Sequence, residues 1–162
     1  MKAYVRPLAW PQALLPILVI SATACMPAPG TSSTPGSGSP IPSAIVDPYL
    51  KIQTALANDS VDDVRANAGN VATAATALGS PALRIYTTAL QLSAATELAD
   101  ARDMFGRLSE AIVTYMDGLH LTPPSGVRIA VCPMNRKPWL QEGQVISNPY
   151  YGPSMPTCGD FR

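Results

Sequence analysis

Seven apolar side chains, Leu98, Ala101, Phe105, Leu108, Ile112, Tyr115 and Leu119, recur at alternating steps of three and four across residues 98–119. A period of 3.6 residues per turn puts all seven on one face of an α-helix, and Gly118 with Pro123-Pro124 marks its end. Such a helix is about 33 Å long and carries one continuous apolar stripe, so it needs neighbours that cover it. The chain therefore folds around this segment, and the sequence before it must supply the cover.

That cover reads as shorter amphipathic helices. Asp47-Pro48 suits an N-cap followed by proline at the first helical position, with Tyr49, Ile52 and Leu56 on one face and an end near Asn58. Ser60 with Asp62 and Asp63 suits a second start, after which Val61, Val64, Ala68, Val71, Ala75 and Leu78 repeat at helical spacing. Gly79-Ser80-Pro81 supplies a left-handed stop, a hydroxyl cap and a proline start, so a third helix begins at Pro81 with Leu83, Tyr86 and Leu90 as its apolar face. Residues 93–97 read either as a break or as a bend. Short connections between helices of this length favour antiparallel neighbours, and the expected fold is mainly α: a small up-and-down helical bundle of three to four helices over residues 43–121. Met104 and Met116 read as gap-fillers in it.

The N-terminal residues carry a different message. Lys2 and Arg6, an apolar stretch over residues 13–20, and Ser21-Ala22-Thr23-Ala24 ahead of Cys25 have the layout of a secretory leader over residues 1–24. Ala22-Thr23-Ala24-Cys25 resembles the lipobox of bacterial lipoproteins, which implies lipidation at Cys25. Several acyl chains at about 0.8 kcal/mol per buried CH₂ anchor a protein effectively permanently. Residues 26–42 collapse to Pro, Gly, Ser, Thr and Ala with no charge, apart from Met26 and Ile41, a composition that buries too little apolar area to order itself. At ~3.3 Å per residue this tether reaches roughly 55 Å. The expected location is the cell envelope, lipid-anchored and facing the periplasm. Met26 gives Cys25 no aspartate neighbour of the inner-membrane retention type, which favours the outer membrane. With Lys2 and Arg6 removed, 9 basic residues face 11 acidic ones, a balance near −2 that offers no footprint for nucleic acid.

The last third carries the chemistry. Val127, Ile129 and Val131 alternate with Arg128 and Ala130 as in one short strand, and beyond them the tail over residues 125–162 reads as irregular, rich in Cys, Met and Pro. Cys132, Met134, Met155 and Cys158 place two thiols and two thioethers within 27 positions. These soft donors select Cu(I) and Ag(I) over hard cations. If the extended backbone continues past Val131, Cys132 and Met134 share the face opposite the branched residues. The same two cysteines are also the minimum for a disulfide in an oxidising compartment, where a Cys132–Cys158 bridge stabilises by roughly 3 to 3.5 kcal/mol on the entropic description. Both readings stand at this point. His120 falls at the end of the long helix, where imidazolium complements the helix dipole, and is an outside candidate ligand. Trp139, Tyr150 and Tyr151 read as packing residues.

Cys132-Pro133-Met134, Trp139-Leu140, Asn148-Pro149-Tyr150-Tyr151-Gly152, Met155 and Cys158-Gly159 together resemble the C-terminal signature of the DUF3347 domain family. Tyr49-Leu50-Lys51, Ala55-Leu56, Arg102, Phe105 and Leu108-Ser109-Glu110 resemble its helical part, so the likeness spans roughly residues 44–160. Only Asn135-Arg136-Lys137-Pro138 separates the first two elements, fewer residues than the family's usual insert. The resemblance implies an exported domain, free-standing or joined to CusB-like heavy-metal efflux adaptor subunits, with a role in copper or silver handling. Two readings of the residues then stand: a metal site of Cys132, Met134, Met155 and Cys158, with heavy-metal efflux components as partners, and a structural or adaptor lipoprotein stapled by Cys132–Cys158 that docks a partner. No nucleophile elbow or phosphate-cradling glycine loop occurs, and one histidine builds no hydrolytic metal centre, so an enzyme is not expected.

Overall fold

The computed structural model describes residues 38–162, which form four helices followed by a small antiparallel sheet: α1 (Ser43–Ala57), α2 (Val64–Thr76), α3 (Leu83–Ser93), α4 (Leu98–Leu119), β1 (Val127–Val131), β2 (Pro138–Glu142) and β3 (Asp160–Phe161). The fold is mainly helical. The leader, Cys25 and most of the tether lie outside the described residues. No helix among the described residues is long and apolar enough to cross a membrane.

α4 covers residues 98–119 as its stripe requires, with Ala101, Phe105, Leu108, Ile112 and Tyr115 buried. Its end differs from a glycine cap. His120 itself takes the left-handed conformation, φ 53°, and its backbone N–H returns to the carbonyls of Asp117 and Met116.

α1 starts five residues earlier than Asp47-Pro48 predicts, with Pro42 at the N-cap and Pro48 inside the helix. Ile45 and Val46 on the added turn are buried, and their burial outweighs one lost backbone bond near a helix start. α2 starts late, at Val64, because Asp63 adopts φ 57° and the Ser60 hydroxyl accepts from the N–H of Asp62 in a turn outside the helix. The tether also ends sooner than composition suggests. Gly38 N–H donates to His120 C=O at 2.7 Å, Thr122 N–H donates to Ser39 C=O and Thr122 C=O accepts from Ile41 N–H, each at 3.0 Å, and Ile41 is core.

The face expected for α3 is the wrong one. Leu83 is 60% and Leu90 43% exposed, whereas Ala82, Ile85, Ala89 and Leu92 are buried. Both sets satisfy helical spacing. The alanine-bearing set is buried on a helix that packs closely on α2, where Ala68, Ala72 and Ala75 are buried too, and small side chains let two helix backbones approach closely.

Each helix packs mainly on the next in sequence, while the backbones of α1 and α4 stay apart and the two helices meet through side chains, Tyr49 against Phe105 and Ser109. β2 lies against both. The tail thus forms three strands, not the one short strand expected: β1 pairs with β2 through Ala130↔Trp139 and with β3 through Ala130↔Phe161, in the order β2-β1-β3. β2 escapes sequence reading because Trp139, Leu140 and Gln141 are all buried, which erases the alternation of a half-exposed strand.

At Gly106 on α4 a side chain would meet the aliphatic stem of Lys137, whose ammonium pairs with Asp103 at 2.9 Å. Gly106→Ala gains about 0.5–1 kcal/mol of helix propensity and loses about as much if the exposed ion pair breaks. The expected change in unfolding free energy is therefore within about 1 kcal/mol of zero by urea denaturation.

Candidate functional site

The hairpin joining β1 to β2 fixes the first thiol. Cys132 N–H donates to Lys137 C=O at 3.0 Å and Cys132 C=O accepts from Arg136 N–H at 2.8 Å, so Cys132 is the last residue held by the ladder. The Asn135 carboxamide accepts from Lys137 N–H, and Arg136 turns the chain at φ 59°. Cys132 follows Ala130 by two positions on the same face and is fully buried. Met134 lies at the tip of this turn, 62% exposed. The extended backbone that would have aligned it with Cys132 stops at Val131.

The second thiol arrives from the other side of β1. The pairing Val131↔Asp160 sets the residues just before β3 beside Cys132, and one amide nitrogen, Asn148 Nδ2, reaches both the Cys132 sulfur and the Cys158 carbonyl. They are free thiols, Cys132 buried and Cys158 half-buried. Burial, and then the charge and contact of Cys132, push the Cys158 thiol above its ordinary value.

Asn148 organises the site. It is fully buried and its side chain is saturated: Oδ1 accepts from Tyr150 N–H at 2.8 Å and Tyr151 N–H at 3.3 Å, while Nδ2 donates to Cys158 C=O at 2.5 Å and to Cys132 Sγ at 3.6 Å. Its backbone closes the loop as well, through Pro156 C=O and Gly152 N–H. One carboxamide therefore ties both cysteine segments together. Asn148-Pro149 signals a turn in sequence, but nothing local reveals that its amide reaches a sulfur 16 residues away.

The helices clamp this loop. Arg102 on α4 donates to Pro149 C=O and Leu56 C=O, each at 2.9 Å, and pairs with Asp59. Gly152 sits against that ion pair at φ 52°, where any side chain would run into the guanidinium and the Asp59 carboxylate. Gln53 donates to Ser147 C=O at 2.8 Å. Trp139 donates its indole N–H to Gln141 and packs edge-on to Tyr150 at 5.8 Å, Tyr150 lies 6.0 Å from Phe105, and Phe105 stacks on Tyr49 at 5.0 Å. Among the described residues every buried polar side-chain atom has a partner.

Tyr49 shares a 2.6 Å hydrogen bond with Ser109 and accepts from Leu140 N–H; Tyr150 donates to Pro138 C=O. Burial, the leading cause for both, raises both phenols well above their ordinary value. The neutral phenols are thus favoured in the folded state, and their contribution is complete below about pH 10 and lost as pH rises beyond it. Unfolding free energy is expected to fall above pH 10 by up to about 1.4 kcal/mol per pH unit for each tyrosine, measured by denaturant titration at stepped pH.

The structure brings two of the four sulfur candidates together. Met155 is half-buried just after the turn Gly152–Ser154, and its carbonyl accepts from Cys158 N–H at 3.3 Å. His120 is exposed at the far end of α4, 14 residues or about 21 Å along the axis from Gly106, over which the Lys137 end of the hairpin lies. Among the described residues no three His, Cys, Asp or Glu side chains gather as a metal set. The donor set available is two cysteines held on one carboxamide, one buried and one half-buried, with an amide N–H on the buried sulfur. That set suits a soft ion of low coordination number and suits no hard cation. Comparison with protein-family models, with curated proteins and with solved structures finds no match to this chain.

Proposed function

We propose that this protein is a membrane-tethered domain that binds a soft ion, Cu(I) or Ag(I), outside the cytoplasm, for sequestration or for transfer to an efflux partner. Cys132 and Cys158 are the thiolate ligands and Met155, half-buried three residues before Cys158, is the thioether; Met134, 62% exposed at the hairpin tip, and His120 drop out of the set. The observation that carries this reading is the Asn148 carboxamide, whose Nδ2 joins the two cysteine segments and donates to Cys132 Sγ, because an outer hydrogen bond to a thiolate orients it for a metal. The up-and-down helical bundle is then the rigid support against which the tail is clamped.

The same arrangement favours a second reading, an adaptor lipoprotein stapled by Cys132–Cys158. The two separate by titrating the reduced full chain, in a Cys25→Ala background, with Cu(I) in competition with a chromogenic chelator. One equivalent is expected to bind, with binding lost in Cys158→Ala and kept in Met134→Leu. Failure of the reduced protein to bind stoichiometrically ends the metal reading. Free thiols in protein isolated from the envelope end the staple.

A further inference from the structure

The two cysteines are held on one carboxamide, Asn148 Nδ2 donating to Cys132 Sγ and to the Cys158 carbonyl, yet they are unequal, and the inequality has a chemical meaning. Cys158 is partly open to solvent, while Cys132 is sealed beneath the sheet with Asn148 Nδ2 on its sulfur. Thiol–disulfide exchange requires an attacking sulfur that a second molecule can reach and a partner sulfur that resolves the mixed disulfide. We propose that this pair is a directional exchange site for low-molecular-weight disulfides, with Cys158 as the attacking thiol and Cys132 as the resolving thiol. The proposal rests on the same sulfur pair as the metal reading but not on metal binding.

The steps balance. Cys158 thiolate attacks one sulfur of a small disulfide RSSR, forming Cys158–S–S–R as RS⁻ leaves with the bonding pair and takes a proton from water. Cys132 then releases its proton, its sulfur attacks Cys158 Sγ, a Cys132–Cys158 bond forms and the second RS⁻ leaves. Two protein thiols are oxidised and one small disulfide is reduced to two thiols. In the reverse direction an external thiolate reaches only Cys158, and the departing Cys132 sulfur meets the Asn148 N–H. Asn148 is a positioning residue here. Closing the bond removes both thiolate ligands, so exchange at this site would also set whether the soft ion is held.

The test uses the reduced full chain in a Cys25→Ala background, mixed with oxidised glutathione, acid-quenched at intervals and mapped by mass spectrometry. Wild type is expected to pass through a mixed disulfide on Cys158 alone and to finish as the internal disulfide. Cys132→Ala is expected to stop at the Cys158 adduct, and Cys158→Ala to react roughly 100-fold more slowly or worse, since Cys132 is reached only through local opening. Glutathione on Cys132 in wild type, or equal rates for the two variants, overturns the proposal. Should a variant fail to fold, brief alkylation of native wild type decides: Cys158 is modified first if the proposal holds, and Cys132 first or equally if it does not. Cu(I) titration of a parallel reduced sample keeps the two ideas apart. Binding without directional exchange defeats this proposal alone, and directional exchange without binding defeats the metal reading alone.

Discussion

Asn148→Ala is expected to cost about 3–5 kcal/mol of unfolding free energy and to open Cys132 to reagents that do not reach it in the wild type. The carboxamide serves four partners, the N–H groups of Tyr150 and Tyr151, the Cys158 carbonyl and the Cys132 sulfur. Alanine leaves all of them without it. A buried backbone group stripped of its partner costs roughly 1–3 kcal/mol, and the half-buried Tyr151 recovers part of that through water. Loss of the four bonds also unties the loop between β2 and β3, which is what holds the two cysteines side by side. The checks are urea denaturation and the rate at which a thiol reagent labels each cysteine in the native protein. A variant within about 1 kcal/mol of wild type with Cys132 still protected removes Asn148 from its assigned place.

Trp139→Ala is expected to cost about 3–5 kcal/mol. The indole is fully buried, carries a satisfied N–H to Gln141 and leads the aromatic series through Tyr150 and Phe105 to Tyr49 that joins sheet to helices. Its ring also lies against Gly159, where a side chain would come within 2.5 Å of it, so the large residue and the absent one are complementary. Truncation leaves a cavity next to Cys158 and Cys132. Met134→Ala, at the exposed tip of the hairpin, is the contrast and is expected to change stability by less than about 0.5 kcal/mol. Thermal unfolding of the two variants beside wild type measures both, and comparable losses would mean that the tail is not packed as described.

What the sequence conveys about this fold depends on how far apart the interacting residues lie. α4 is legible to its ends because its stripe is local and repeats for 22 residues. α3 shows the limit of periodicity: two stripes share the same spacing, and the choice between Leu83/Leu90 and Ile85/Ala89 is made by packing on the neighbouring helices α2 and α4 and not by α3 itself. The strand β2 is hidden because burial on both faces removes its alternation. Cys132 and Cys158 stand out as soft donors in the sequence, and the register of β1 with β3 is what brings them together. Met134 shares their chemistry but not their place, since the Cys132-to-Lys137 turn swings it outward. Asn148 and Arg102 act over 16 and 47 residues of separation, and their partners are backbone carbonyls and a sulfur that no local pattern marks.

The proposed function places two sulfurs at one soft ion, and X-ray absorption at the copper edge of the reduced, Cu(I)-loaded full chain counts them. An all-sulfur shell of two or three neighbours that loses a scatterer or the metal itself in Cys158→Ala is the predicted result. Nitrogen or oxygen ligands dominating the shell, or a spectrum unchanged by Cys158→Ala, would contradict it.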